Sequence, residues 1–180
     1  MNVFYLDRNP KKCAELHCDK HVVKMIIEYA QLMSTAHRVL DGDLYLDKTA
    51  NGRSIKRWRL DTNEDVFYKA SHINHPSAIW ARQSNNNYTW LYQLWFALCK
   101  EYEHRYGREH LTFTKLKNVI GFPPKNIPKG AMTQMPQAMP DHCKMDNPID
   151  AYRNYYTVEK KSFAKWTSRP VPNWFLTSVA

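Results

Sequence analysis

The sequence predicts a mainly α fold: one compact helical domain with a short extended N-terminal segment and a long loop rich in proline and methionine. Three observations carry this. Apolar residues over 19–40 recur as Val22, Met25/Ile26, Tyr29, Leu32/Met33, Ala36 and Val39/Leu40, one stripe of a 3.6-residue period. Residues 85–106 repeat the pattern with Tyr88, Leu91, Leu94/Trp95, Leu98 and Tyr102. Residues 121–146 hold five prolines and four methionines, and the prolines disfavour regular structure there. At 180 residues the chain is long enough to bury one real core, without internal repeats or low-complexity tracts.

The elements follow in order. Residues 2–6, Asn-Val-Phe-Tyr-Leu, read as a short strand or an extended segment tucked into the core. Asn9-Pro10 opens a helix running to about Leu16, since Asn caps well and Pro suits the first helical position. Asp19 is expected to cap the first long helix, and Gly42 to end it in a left-handed conformation. Residues 43–60, with the basic run Arg53, Lys56, Arg57 and Arg59, read as an exposed loop, followed by a helix over about 61–72. Asn74-His75-Pro76 introduces a short helix through Trp80 and Arg82, and Ser84 begins the second long helix, which Gly107 stops. A last helix spans about Pro148–Trp166, and the proline-rich tail 169–175 cannot continue it. The division is 1–120 as helical core, 121–146 as loop and 147–180 as basic aromatic helix and tail.

Lys plus Arg outnumber Asp plus Glu by 26 to 17, a net charge of +9, and 13% of residues are aromatic. Positive charge with aromatic rings suits phosphate attraction combined with base stacking. No apolar run reaches the ~20 residues that span a bilayer, and the first residues lack a signal-peptide pattern. Cys13, Cys18, Cys99 and Cys143 are irregularly spaced, which favours reduced thiols and a cytoplasmic protein; a monomer is expected.

The chemistry concentrates on the first long helix. Its second stripe reads His21, Lys24, Glu28, Gln31 and Thr35, an imidazole, an ammonium, a carboxylate and an amide that together can hold an anion and move a proton. The plainer reading is a solvated face with a Lys24–Glu28 pair worth about 0.2–0.5 kcal/mol. Zinc ligation by His17, Cys18 and His21, with Cys13 near, fits an i,i+4 imidazole spacing, but no CxxC or HExxH accompanies it, so no metal or other cofactor is expected. Lys24 as a Schiff-base lysine would need burial to lower its pKa, and Glu28 would raise it. On the C-terminal helix, Arg153, Lys160 and Lys161 interleave with Tyr152, Tyr155, Tyr156, Phe163 and Trp166, either as a DNA-facing surface or as core aromatics with solvated cations. Met132, Met135 and Met139 either line a pocket edge or pack beneath the loop.

Asp19-Lys20-His21 with Glu28 beyond it, Lys24 and Gln31 on one face, His75-Pro76 with Trp80, and Cys99-Lys100-Glu101-Tyr102 before Arg105-Tyr106-Gly107 come in an order that resembles the phage pyrimidine-dimer DNA glycosylase (endonuclease V) family and its bacterial relatives, over about residues 1–112. The resemblance implies a DNA glycosylase and AP lyase. A chain-terminal α-amine attacks the sugar C1′ and forms a Schiff base, while a glutamate, here Glu28, serves as acid and base. Amines of this class titrate near 7.7–8.0, so a neutral nucleophile is at hand near physiological pH. Residue 2 is Asn, whose bulk retains Met1, so the nucleophile would be the Met1 α-amine. His21, Lys24, Gln31, His75, Arg82, Arg153, Lys160 and Lys161 are the expected DNA-binding residues, with double-stranded or damaged DNA as partner and no membrane. The alternatives are a non-catalytic nucleic-acid-binding module, or an enzyme using the same face on a nucleotide or other small molecule.

Overall fold

The computed structural model describes residues 1–177, whose regular structure is seven α-helices, one 3₁₀ turn and one two-stranded ribbon. In chain order these are α1 (Pro10–Leu16), α2 (Asp19–Asp41), β1 (Asp43–Lys48), β2 (Ser54–Arg59), α3 (Pro76–Ala81), α4 (Asn85–Tyr106), α5 (Leu111–Leu116), a 3₁₀ turn at Asp141–Cys143, α6 (Pro148–Glu159) and α7 (Asn173–Leu176). The two long helices, α2 and α4, pack together and bury Met25, Ile26, Tyr29, Leu32, Tyr88, Leu91, Leu94, Trp95 and Leu98. The Trp95 indole N–H donates to the Ile26 carbonyl at 3.0 Å, so the contact is keyed as well as apolar. No helix among the described residues is long and apolar enough to cross a membrane. All four cysteines are free thiols in buried positions.

Local chemistry explains most boundaries. Asn9 caps α1 by accepting from the Lys12 N–H, His75 caps α3 through Ser77, and Ser84 caps α4 through Asn87, each ahead of a helix the sequence anticipates. Gly107 ends α4 as expected, and does so in the left-handed region at φ 67°. The N-terminal segment is extended, with Val3, Phe4 and Leu6 buried.

Several expectations are corrected. Asp19 does not cap α2. Cys18 holds that position without a side-chain bond, and the Asp19 carboxylate instead takes Arg105 at 2.9 Å and the Thr167 hydroxyl at 2.8 Å. Gly42 is not left-handed, at φ −94°. It is needed because a Cβ would lie 2.6 Å from the Arg38 carbonyl oxygen. Residues 43–60 are not a loop but the antiparallel ribbon, with Leu44 opposite Trp58, Tyr45 opposite Arg57 and Leu46 opposite Lys56. No helix forms over 61–72. The buried Arg38 guanidinium binds the carbonyls of Trp58, Glu64, Phe67 and Tyr68 at 2.7–3.0 Å, and carbonyls turned inward to one cation cannot build a helical ladder. The helix α6 stops at Glu159 rather than Trp166, because the chain turns back to α2: the Lys165 carbonyl accepts the Asp19 N–H, and Trp166 donates to the Leu16 carbonyl. Helix α5, capped by His110, adds an element that the sequence pattern does not predict.

Apart from its 3₁₀ turn, the 121–146 segment is irregular as expected, yet it is pinned along its length. Asn126 and Lys125 donate to Asp41, Gly130 to Asn85, and Thr133 to Asn87, while Trp80 donates to the Thr133 carbonyl. Met135 is buried, and Met132 and Met139 pack partly against the core. Tyr152 and Tyr156 on α6 are fully buried, and Trp166 beyond it nearly so, which settles these rings as core.

His17, His21 and His37 are all buried, and desolvation holds their pKa values below the usual 6.5, to about 4 for His17 and His37. Each stays neutral when folded and charges more readily when unfolded, so its contribution is complete above about pH 6.5 and is lost as the pH falls toward 4. Each imidazole should cost about 1.4 kcal/mol per pH unit across that window. Urea midpoints measured from pH 7 to pH 4.5 should fall steeply; a flat profile would contradict neutral burial.

Candidate active site

The first residues are held by a buried aromatic and imidazole cage. The Phe4 ring stacks on His21 at 4.1 Å between centroids and meets Tyr156 edge-on at 5.4 Å. Its backbone N–H donates to the Tyr29 hydroxyl at 3.1 Å. That hydroxyl lies 2.7 Å from His17 Nε2, and His17 Nδ1 lies 2.8 Å from the Cys13 carbonyl. A carbonyl only accepts, so Nδ1 carries the proton, Nε2 is the acceptor, and Tyr29 donates to it while accepting from Phe4. Three buried groups are thereby satisfied in one chain of bonds.

This cage delivers the α-amine of Met1 to the middle of α2. The amine nitrogen lies 3.7 Å from Glu28 Oε2, and Lys24 Nζ lies 3.2 Å from Glu28 Oε1. The Glu28 side chain is 16% exposed and that of Lys24 69% exposed, so the carboxylate is sheltered while one cationic partner opens to solvent. His75, from the cap of α3, completes the group. Burial lowers its pKa, the charges of the Met1 amine and His72 lower it further, and Glu28 opposes them. An amine, a carboxylate and an imidazole held below its ordinary pKa are thus neighbours beside the middle of α2. Val23 and Ile27 flank it as exposed apolar residues.

The expected stripe of α2 is therefore turned. Its ends are covered: His21 is buried under Phe4 with Nδ1 2.6 Å from the Tyr156 hydroxyl, and Thr35 lies under the Ser71 backbone. His21 thus has no open face toward DNA; it packs the cage. Gln31 is half-buried beyond Glu28, and the open surface runs through Lys20, Val23, Lys24 and Ile27. Lys24 is too exposed for the desolvation a Schiff-base lysine needs. Arg82 is occupied, donating to the carbonyls of Ala78 and Ile73, and so braces the turn that presents His75. Arg153 donates to the Leu6 carbonyl, with Asp7 at 3.7 Å and the Trp174 ring beneath it, which fastens the N-terminal segment rather than facing outward. Lys160 lies over Tyr155, itself stacked near Phe4, and Lys161 is exposed.

The zinc constellation does not assemble, since both ring nitrogens of His17 are engaged within the cage. Among the described residues, metal-ligand spacing occurs at His142, Cys143 and Glu159, where His142 and Glu159 are exposed and bonded to each other at 2.7 Å. A cavity of about 740 Å³ between α1 and α4, lined by Glu15, Phe96, Lys100, Glu101 and Arg169 among others, includes neither Met1 nor Glu28. Sequence reasoning missed the His17–Tyr29–Phe4 relay and the flanking Val23 and Ile27. Only the burial signal of Val3-Phe4-Tyr5-Leu6 pointed toward the cage.

The site thus sets a terminal amine against a helix-borne carboxylate on a mainly helical core. The chain belongs to the pyrimidine dimer DNA glycosylase family, whose family model matches residues 1–114. No curated protein matches it, and no solved structure does.

Tyr29→Phe keeps the ring and removes the hydroxyl, leaving the Phe4 N–H and His17 Nε2 buried without that partner. The loss should be about 1–3 kcal/mol, read from denaturant unfolding. A change below about 0.5 kcal/mol, inside the ordinary range of neutral substitutions, would show that the relay does not hold the segment.

Proposed function

We propose that this protein is a pyrimidine dimer DNA glycosylase with AP lyase activity, in which the Met1 α-amine is the nucleophile and Glu28 the acid and base. The observation that carries this is the 3.7 Å approach of the amine to Glu28, whose other partner, Lys24, opens to solvent. Family membership supplies the substrate class, since the family's description names both the lesion and DNA.

The chemistry follows from the placement. Glu28 takes a proton from the amine, whose lone pair then attacks C1′ of the damaged nucleotide. The glycosidic C1′–N bond breaks, its electron pair leaves with the base, and a proton returns to that base. The nitrogen then loses a proton, the C1′–O4′ bond breaks as O4′ takes one up, and the ring-opened sugar is left bound to the amine as an imine. Glu28, now basic, can remove a C2′ proton so that the 3′ phosphate leaves, and water then hydrolyses the imine to free the enzyme. Lys24 orients the carboxylate and carries positive charge toward a phosphate. His75 and the exposed Lys161 are further candidates for DNA contact, whereas Arg82 and Arg153 act by bracing the backbone around the amine. Reaching a base within a duplex costs a few kcal/mol of unstacking, and Val23 and Ile27 offer an apolar surface to the opened sugar and displaced stack.

Glu28→Gln preserves shape and removes the proton carrier. Cleavage of dimer-containing duplex should fall at least ~10²-fold, the low end for general acid–base groups, with duplex affinity changed little. Unaltered turnover in that variant would remove Glu28 from the mechanism.

A further inference from the structure

The β1–β2 ribbon is not absorbed by the site, and it is chemically distinctive. Its open face carries Leu44, Leu46 and Lys48 from one strand and Ser54 and Lys56 from the other, with Trp58 half-buried at its base. Leu44 is 56% and Leu46 74% exposed, an unusual exposure for two leucines on one short strand. Arg57 is taken by Asp47 at 3.3 Å and Arg59 lies over the Tyr45 ring, which leaves Lys48, Arg53 and Lys56 without a carboxylate partner among the described residues. The tip is well made: Gly52, at φ 75°, donates to the Thr49 carbonyl, and the Thr49 N–H donates to the Arg53 carbonyl. The ribbon is therefore a firm projection with an apolar and basic face.

Its root is fixed relative to Glu28. The Trp58 carbonyl accepts from Arg38 at 2.8 Å, and Arg38 lies ten residues along α2 from Glu28 and within about 80° of it around the helix. The returning segment then follows the same side of α2, with Ser71 over Thr35, before reaching His75 at the site. Ten helical residues span about 15 Å, the length of roughly four to five base pairs at ~3.4 Å each. A two-stranded ribbon has the width that the major groove admits.

We propose that the ribbon is a second DNA-contacting arm, rooted about 15 Å along α2 from Glu28 and lying against the duplex several base pairs from the reacting nucleotide. Lys48, Arg53 and Lys56 meet phosphates, while Leu44 and Leu46 meet sugar and base edges. The inference rests on the function proposed above, and it names duplex DNA as the occupant because three unpaired cations surround an otherwise unexplained apolar face.

The test uses the full chain and two uncleavable abasic-analogue probes: a 25-base-pair duplex with the analogue at its centre, and a hairpin-stabilised stem with three base pairs on either side. The wild type should bind the long probe at least ~10-fold tighter. Replacing Lys48, Arg53 and Lys56 together by Ser, all exposed, should weaken the long probe at least ~10-fold and leave the short one unchanged. The salt slope on the long probe should fall by about two to three, near 0.9 for each phosphate that is no longer neutralised. A matched triple of Lys11, Lys125 and Lys129 to Ser should cost much less on the same probe. Equal losses from both triples, or an unchanged slope, would overturn the ribbon arm while leaving the active-site reading intact. A wild type that binds neither probe would overturn both. A DNA-free dimer dissolved by Leu46→Ser would assign the face to a second copy and overturn the arm.

Discussion

The placement of one nitrogen governs the rest of the molecule. An N-terminal amine is a useful nucleophile only if the flexible end of the chain is held, and ordering each residue costs about 1–2 kcal/mol of backbone entropy. Here Val3, Phe4 and Leu6 offset that cost by burial, and Tyr29 fixes the register through a single bond to the Phe4 N–H. Because His21 and Tyr29 lie on α2 and His17 sits at the α1–α2 junction, the helix that positions the carboxylate also holds the amine. The 3.7 Å spacing is thus a property of one helix and the extended segment laid across it.

Buried arginines bind the remaining pieces to this unit. Arg105 joins α4 to Asp19 at the start of α2 and to the Glu15 carbonyl of α1. Glu101 receives both Arg105 and Arg169; burial pushes its carboxyl up, and the hydrogen bonds from the two guanidinium groups more than reverse that. Such networks contribute little net stability, but a mispaired partner is costly, so they fix which segments meet. Arg169, Thr167 and Trp166 lie beyond the family-matched residues, and through them the C-terminal segment closes over the α1–α2 junction that supports the cage.

The helices were legible because period, caps and stops agreed: Asn9 with Pro10, Ser84, and Gly107 each act locally. What could not be read depends on distant partners. Asp19 has the composition of a cap but answers to Arg105, eighty-six residues away. Gly42 looked like a left-handed stop, yet its requirement comes from the nearby Arg38 carbonyl and the start of the ribbon. Residues 61–72 carry helix-compatible side chains, but Arg38 claims their carbonyls. The ribbon itself was hidden by its charge, since a basic run reads as loop unless its partner strand is recognised. The Lys24–Glu28 pairing followed from helical spacing, whereas the burial of His21 did not, because α6 covers that face from 135 residues away.

The central claim is that the α-amine of Met1 is the group that forms the imine. Borohydride reduction during turnover on abasic-site DNA converts such an imine to a stable secondary amine, and mass spectrometry of the digested adduct locates it. The account predicts one covalent adduct, on the Met1 nitrogen, lost when that amine is acetylated. An adduct on Lys24 or another lysine, or strand cleavage undiminished in the acetylated protein, would contradict it.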